Sequence, residues 1–530
     1  MKNKIITSLK ESLNKLNIEK EIELTPSEGH GDFSTNIAMK LARELKKSPQ
    51  IIANEIIEGI ELEKFDIEKI EIAGPGFINF FMKREALNQI IKEVLKKGDD
   101  FGRGNQNQFI NVEYVSANPT GYLHLGHARG AVVGSVLVNI LRFAGNKVDA
   151  EYYVNDAGTQ IDILGEATYI RYLNLFEGNK KEMPENTYRG EDIIWVAKKL
   201  KEKVNDKYLN LNYEDCKEEI KLFAKDLLLN EIDKDLKRFG VKMDFFSSEQ
   251  DLYDKNLITP ALNKLKDKFE KDGATWLETT KYGDDKDRVL IKSDGKYTYF
   301  TPDIAYHEEK LKRGYTSIIN IWGADHIGYI KRMEVALESL GYPKGTLKNT
   351  LVIQLVKLIK DNKELKMSKR LGTSFTLREI IDMVGKDAAR FFMINRSCDS
   401  KFDFDLDLAN QKTSDNPIFY IQYAHARINQ ILNKSNKKLE TEKLETKGAE
   451  ELMNMLTKFP SLVIKIADNQ KVHLLAQYVL KLAKSFHSYY NNEKIIGSEH
   501  EASKLTIIKA VKQVIKNGLS LLGIEAPERM

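Results

Sequence analysis

Phe109-Ile110-Asn111-Val112-Glu113-Tyr114-Val115 is followed by Ser116-Ala117-Asn118-Pro119-Thr120-Gly121-Tyr122 and then by His124-Leu125-Gly126-His127. Alternation in the first run predicts a strand, the second reads as a loop, and the third leads into a long apolar helix ending near Gly145. Strand, loop and helix in that order are the opening unit of a doubly wound parallel sheet. Strand-like runs resume at Ser317-Ile318-Ile319-Asn320-Ile321-Trp322 and at Leu351-Val352-Ile353-Gln354-Leu355-Val356. Before these runs, residues from about 165 to 285 are rich in Lys and Glu at helical spacing and predict a helical insertion. The middle domain is thus expected over 101–375.

Upstream, residues 1–100 mix helical spacing (Ile5, Leu9, Leu13, Leu16; Ile37, Leu41, Leu45) with two strands around Gly74-Pro75-Gly76, which predicts a small α/β domain. The hydrophilic, glycine-bearing stretch Lys97 to Asn105 reads as a linker. Downstream, 376–530 is almost entirely helical in pattern, with one mixed-charge segment from Asn433 to Glu450.

The 530 residues suit three or four domains at roughly 150 residues each. With 42% hydrophobic and 30% charged residues and only 11 prolines, collagen-like, mucin-like and wholly disordered chains are excluded. A net charge of +4 neither demands nor excludes a polyanion partner. Cys216 and Cys398, far apart, make neither a zinc site nor a disulfide framework and fit a reducing cytoplasm. The opening residues are too polar for a signal-peptide core, and the apolar stretch 131–144, broken by Asn139 and Arg142, is too short to span a bilayer. A cytoplasmic protein without membrane contact is expected.

Two places carry chemistry. A helix N-terminus favours anions, so His124 and His127, with Gly126 between them to admit a bulky group, suit the phosphates of a nucleotide. The lysine-rich stretch Lys366-Met367-Ser368-Lys369-Arg370 could neutralise a leaving pyrophosphate. Either feature alone has a bland reading, as surface histidines or a solvated turn; their pairing makes the signal specific.

That pairing resembles the HIGH and KMSKS motifs of class I aminoacyl-tRNA synthetases, with Leu125 for the isoleucine and Arg370 for the last serine. Gly29 to Asn36, Ser116 to Thr120, Asn155-Asp156-Ala157-Gly158, Lys386-Asp387-Ala388-Ala389-Arg390-Phe391, Tyr420 to Ile428 and Ala526 to Met530 are similar to stretches of the arginyl-tRNA synthetases. The resemblance runs from end to end of the chain. It implies a Rossmann-like catalytic domain over 101–375, an additional tRNA-binding α/β domain over 1–100, and an α-helical anticodon-binding domain over 376–530. It also implies activation of L-arginine with ATP, transfer to the terminal adenosine of tRNA(Arg), activation that awaits bound tRNA, and magnesium arriving with the ATP. A monomer with no protein-bound metal is expected.

On this reading His124, His127, Lys366 and Lys369 are catalytic. Gly126, Met367, Ser368, Gly323 and Asp325 are expected to complete the ATP site, although Gly323 to Gly328 could be a tight turn. A planar guanidinium needs carboxylates in fork geometry. Asp303 and Tyr299 are placed against it by the resemblance; Glu113 is a second carboxylate, and Ser116 and Asn118 would hold the amino and carboxylate ends. Asp303 has an alternative role as a helix N-cap and Glu113 as an edge-strand charge. For tRNA, Tyr420, Tyr423, Arg427 and Tyr489 are candidates for stacking on unpaired bases, with core packing as the alternative at helical spacing. A nucleotidylyltransferase, another class I synthetase and a non-catalytic RNA-binding relative are the competing readings; the last should have lost the histidines or lysines retained here.

Overall fold

The computed structural model describes residues 2–26, 31–348, 350–365, 375–440 and 448–530. Lys366, Met367, Ser368 and Lys369 lie outside the described residues.

The quoted stretch does what its pattern predicts. Strand β1 (Phe109–Glu113) is central in a five-stranded parallel sheet with β2 (Lys147–Val154), β3 (Phe245–Ser248), β4 (Ser317–Gly323) and β5 (Leu351–Ile353), in the order β5-β4-β1-β2-β3. The order reverses between β1 and β4, and such a switch point opens a crevice at the carboxyl ends of the strands. Helix α1 (Leu125–Phe143) follows β1. It is apolar nearly all round because it is covered twice, by the sheet and by C-terminal helices. Gly134 sets how closely it lies on β1, since a Cβ there would come within 2.3 Å of the Tyr114 ring.

The first part is a four-stranded antiparallel sheet with three helices around its own core of Ile5, Leu9, Phe33, Leu41, Ile56 and Phe80. The two strands expected around Gly74-Pro75-Gly76 are Ile67–Ala73 and Phe77–Met82. Helix Arg84–Lys97 instead contributes Ile90, Ile91 and Val94 to the large core shared by the sheet and the C-terminal helices. The stretch expected as a linker is packed as well: Phe101 is fully buried and stacks on Phe459 with ring centroids 6.1 Å apart. A polar run with one aromatic reads as a linker until the aromatic finds a socket.

The insertion is helical only in its first two-thirds. Helices Glu191–Val204 and α2 (Tyr213–Arg238) form as expected, but β3 then rejoins the sheet and Lys268–Lys271, Ala274–Leu277 and Arg288–Ile291 make a small antiparallel sheet. These strands are four residues each, too short to raise a period-2 signal among so many Lys and Glu. Helix α3 (Phe300–Lys312) leads into β4. The run 351–356 splits, because Val356–Lys360 (β6) leaves the main sheet to pair in parallel with Phe402–Asp405 (β7), the strand that interrupts the otherwise helical C-terminal part. Helices α4 (Leu377–Val384), α5 (Lys386–Ile394) and four longer ones, ending with α6 (Glu501–Leu522), complete the chain. No helix among the described residues is long and apolar enough to cross a membrane.

Candidate active site

His124 is the N-cap of α1, and its Nδ1 accepts from the Gly126 backbone N–H at 3.1 Å. Nδ1 of His127 accepts from the His124 N–H at 3.3 Å, closing a reciprocal capping box. Both imidazoles therefore use Nδ1 as an acceptor, which puts the proton of each neutral ring on Nε2. The rings lie 3.8 Å apart between centroids. A Cβ on Gly126 would come within 2.9 Å of the His124 ring, so the glycine keeps that ring in place. The chain that emerges after residue 374 docks beside them: Phe375 O accepts from Leu125 N at 3.0 Å and Leu123 O from Leu377 N at 2.7 Å.

A polar row crosses the sheet at the carboxyl ends, where Asn320, Glu113 and Glu151 stand side by side on β4, β1 and β2. Lys310 of α3, fully buried, donates to Glu113 Oε2 at 2.6 Å. Ser116 Oγ donates to Glu113 Oε1 at 3.0 Å and accepts from Tyr153 N at 3.1 Å. These bonds hold a strained turn, with φ of +71° at Val115 and +40° at Ser116. Arg313 contacts both oxygens of Glu151 at 2.8 Å. Burial opposes ionisation of Glu151, but Lys310 and Arg313 hold its carboxyl down to about 2. Asp156 pairs with Lys225 at 3.3 Å and accepts from Ser248. His307 accepts no proton here: burial, then Lys310, push it down to about 3.

Two carboxyl groups stand apart from this pairing. Asp303, in the first turn of α3, accepts from Tyr329 Oη at 2.6 Å, and burial with help from Glu113 pushes it up to about 7. Glu249, directly after β3 and buried, is pushed up to about 7 by burial, with Asp303 and Asp156 adding to the effect. Among the described residues no ion pair reaches either, whereas Glu113, Glu151 and Asp156 each have a cation. Among the described residues the buried Tyr153 hydroxyl has no hydrogen-bond partner, and its ring lies 4.3 Å from that of Tyr306. Burial raises the phenol's affinity for its proton, and the nearby Asp303 and Glu249 add to it.

The structure gathers Glu113, Ser116 and Asp303 at one end of the crevice. Asn118 donates to Gln160 and lines a cavity of about 300 Å³ together with His124, His127, Tyr188, Asp192 and Arg378. Gly323 and Asp325 are exposed at the end of β4. Tyr299 is 83% exposed and stands outside the cluster; Tyr329 is the tyrosine on Asp303. Sequence reasoning passed over Glu249, Lys310, Tyr153 and Tyr329. Glu249 sits among many acidic residues of the insertion, and Tyr329 directly follows the Gly323 to Gly328 stretch, whose reading concerns ATP alone.

In the helical C-terminal part, Tyr420, Tyr423, Arg427, Lys412 and His487 line a cavity of about 270 Å³. The Arg427 guanidinium lies 4.5 Å from the Tyr423 ring centroid and 4.9 Å from that of Tyr490. Tyr489, 6% exposed, belongs to the core instead.

Three family descriptions match the chain: "Arginyl tRNA synthetase N terminal domain" over 2–82, "tRNA synthetases class I (R), catalytic domain" over 89–433, and "DALR anticodon binding domain" over 421–530. The chain is similar to the arginine–tRNA ligase of Mycoplasma mobile, 48% identical over 540 residues that span 100% of this chain and 99% of the relative. It is 46% identical to the arginine–tRNA ligase of Bacillus subtilis over 96% of this chain and 94% of that one. Among solved structures, arginyl-tRNA synthetase of Thermus thermophilus shares the fold with a TM-score of 0.80 at 22% identity, over 99% of both chains.

Proposed function

The chain belongs to the arginyl-tRNA synthetases, class I enzymes, and from that premise we propose how its own residues carry out the reaction. As an arginine–tRNA ligase it joins arginine to ATP as arginyl-adenylate and passes the arginyl group to tRNA. The observation that carries our reading is the charge inventory of the crevice. Among the described residues, Glu113, Glu151 and Asp156 each form an ion pair, while Asp303 and Glu249 form none. A guanidinium is the partner this pair lacks, because its planar fork can address two carboxylates at once. Tyr153, with an unused hydroxyl, borders the same space. Tyr299 would turn in from solvent to cover the bound guanidinium.

Glu113 has both oxygens engaged, by Lys310 and Ser116. It therefore serves the arginine site by setting Ser116, while Ser116 and Asn118 meet the amino and carboxylate end. The arginine carboxylate oxygen attacks the α-phosphorus of ATP, a new P–O bond forms, the bond to the bridging oxygen breaks, and pyrophosphate leaves. No side-chain nucleophile takes part, so catalysis is positioning and charge stabilisation. The Nε2–H groups of His124 and His127 donate to phosphate oxygens, and Lys366 and Lys369 neutralise the leaving pyrophosphate. Met367 and Ser368 complete that loop, with Gly126, Gly323 and Asp325 as the rest of the ATP site, Asp325 accepting from a ribose hydroxyl. Magnesium would accompany the ATP as part of the substrate and supply further positive charge to the phosphates.

The C-terminal helical part is an anticodon-binding domain of the DALR type. Tyr420, Tyr423 and Arg427 are the residues we assign to base stacking there, and the N-terminal α/β part is assigned to further tRNA contact. A monomeric enzyme working in the cytoplasm is the assignment that goes with this reading. The test is ATP–pyrophosphate exchange with arginine, lysine and citrulline, with and without tRNA(Arg). Arginine alone should support exchange, and only with tRNA present. Exchange with citrulline would remove the charge argument, since its side chain ends in a neutral ureido group.

A further inference from the structure

Helix α1 carries a second unusual residue. Arg129 lies about one and a half turns beyond His124 and is wholly buried. Among the described residues it forms no ion pair; its N–H groups are spent on backbone carbonyls. Nε donates to Met393 O at 3.4 Å, Nη1 to Gln354 O at 3.2 Å and Ser400 O at 2.7 Å, and Nη2 to Ser397 O at 2.8 Å. The Phe402 ring lies 5.6 Å from the guanidinium carbon. Burying a cation with no carboxylate bonded to it is costly, and four carbonyls at fixed angles offset that cost only for a planar fork, with Asp399 near enough to favour the charge.

The four carbonyls identify what is being held. Gln354 and Ser400 each sit two residues before the first pair of the β6–β7 ladder, Val356 opposite Phe402. Nη1 therefore grips both strands of that ladder where they start. Met393 is in the last turn of α5, and Ser397 lies on the loop between α5 and β7. Strand β6 runs on through the Lys363–Glu364 hairpin to Leu365, whose N–H donates to Leu358 O at 2.9 Å. One guanidinium thus joins the helix start bearing both imidazoles to the sheet from which the chain continues into the lysine-rich motif.

We infer that Arg129 is a positioning residue for adenylation, holding His124 and His127 at a set distance from the β6–β7 sheet. The inference rests on the proposed reading of the two histidines as phosphate donors. It predicts a selective loss. Adenylation needs the triphosphate aligned between the two elements, whereas transfer from arginyl-adenylate to tRNA involves no pyrophosphate.

The experiment compares Arg129→Lys and Arg129→Gln with the parent enzyme in two assays, both with tRNA(Arg). One is ATP–pyrophosphate exchange, with KM for ATP and arginine measured separately. The other is single-turnover transfer from synthetic arginyl-adenylate. Adenylation should fall by on the order of 100-fold, as for a displacement of about 1 Å, with KM for ATP rising and KM for arginine steady. Transfer should stay within about twofold of the parent enzyme, while exchange carries the whole loss. Lysine should not rescue, since an ammonium cannot span four carbonyls.

Equal losses in both assays, or none in either, would overturn the inference. Arg390→Lys is the matched control, because Arg390 is equally buried and also spends its donors on neutral oxygens, the carbonyls of Leu522, Phe239 and Gly240 and the Ser135 hydroxyl, which lies on α1 about two turns beyond His127 and bonds neither β6 nor β7. The same selectivity in that variant would overturn the inference too. If the Arg129 variants do not fold, Phe402→Leu, which removes only the ring beside the guanidinium, must show a smaller loss confined to adenylation; a uniform loss is the refuting result. His124→Ala run alongside separates the premises. Unchanged adenylation there sinks the phosphate-donor reading itself, whereas a loss there with uniform losses in the Arg129 variants sinks the inference alone.

Discussion

Arginine binding is expected to expel protons from the enzyme, and the pH at which it does so follows from two side chains. Asp303 and Glu249 both titrate at about 7 in the empty pocket, raised by burial and by neighbouring carboxylates. Below that value the neutral forms dominate, and a neutral carboxyl has little to offer a guanidinium. Affinity for arginine must therefore rise with pH through neutrality. One carboxyl that has to ionise is about 90% protonated at pH 6 and about 10% at pH 8, so arginine should bind about tenfold more tightly at pH 8. If both must ionise, the change approaches about a hundredfold. Isothermal titration of arginine in two buffers of different ionisation enthalpy, without ATP, reads the protons directly. About one proton should be released near pH 7, fewer at pH 8, with KM for arginine falling in parallel and KM for ATP changing little. A heat independent of buffer, together with a flat KM for arginine between pH 6 and 8, would refute the reasoning. Asp303→Asn should remove part of the release while the remaining carboxyl still titrates.

The other expectations are more local. His124→Ala should cut adenylation by about 100-fold, as loss of a preorganised donor does, and an unchanged rate would remove His124 from the site. Asp303→Asn should raise KM for arginine far more than KM for ATP; equal effects would place it outside the amino-acid pocket. Glu249→Gln should stabilise the empty enzyme. The folded-state value of about 7 lies above the ordinary 4.5, so the native state loses stability as pH rises from 4.5 to 7 and stays lower above that, by on the order of 3 kcal/mol. The variant escapes this, so its melting temperature should exceed the parent's at pH 8 and converge with it toward pH 4.5, while KM for arginine rises. Tyr423→Ala and Arg427→Ala should raise KM for tRNA(Arg) several-fold without altering KM for arginine, and Tyr489→Phe should alter neither.

Much of the site was legible in the chain because its chemistry is local. His124, Gly126 and His127 lie within one helical turn, so their spacing alone forces both rings onto one helix start. Glu113 and Ser116 are likewise only three positions apart in the chain. Glu249 was not legible, since nothing local distinguishes it from the acidic residues around it; it matters only because β3 returns to the sheet beside β2. Tyr299 shows the converse. Proximity in sequence to Asp303 suggested a shared pocket, yet one residue before the helix its ring points to solvent, and Tyr329 from a different turn reaches the carboxylate.

The sequence by itself determined the parallel sheet, the imidazole-bearing helix start and the helical C-terminal part, because each rests on periodicity or on contacts within a few residues. Only the tertiary structure decided which carboxylates are paired with a cation. Lys310, Arg313 and Lys225 are far in the chain from Glu113, Glu151 and Asp156, and their pairing depends on how α3 and α2 lie over the strand ends. The same holds for Arg129, whose four acceptors are backbone carbonyls. Every residue has one, so composition and spacing carry no trace of which carbonyls a guanidinium will find.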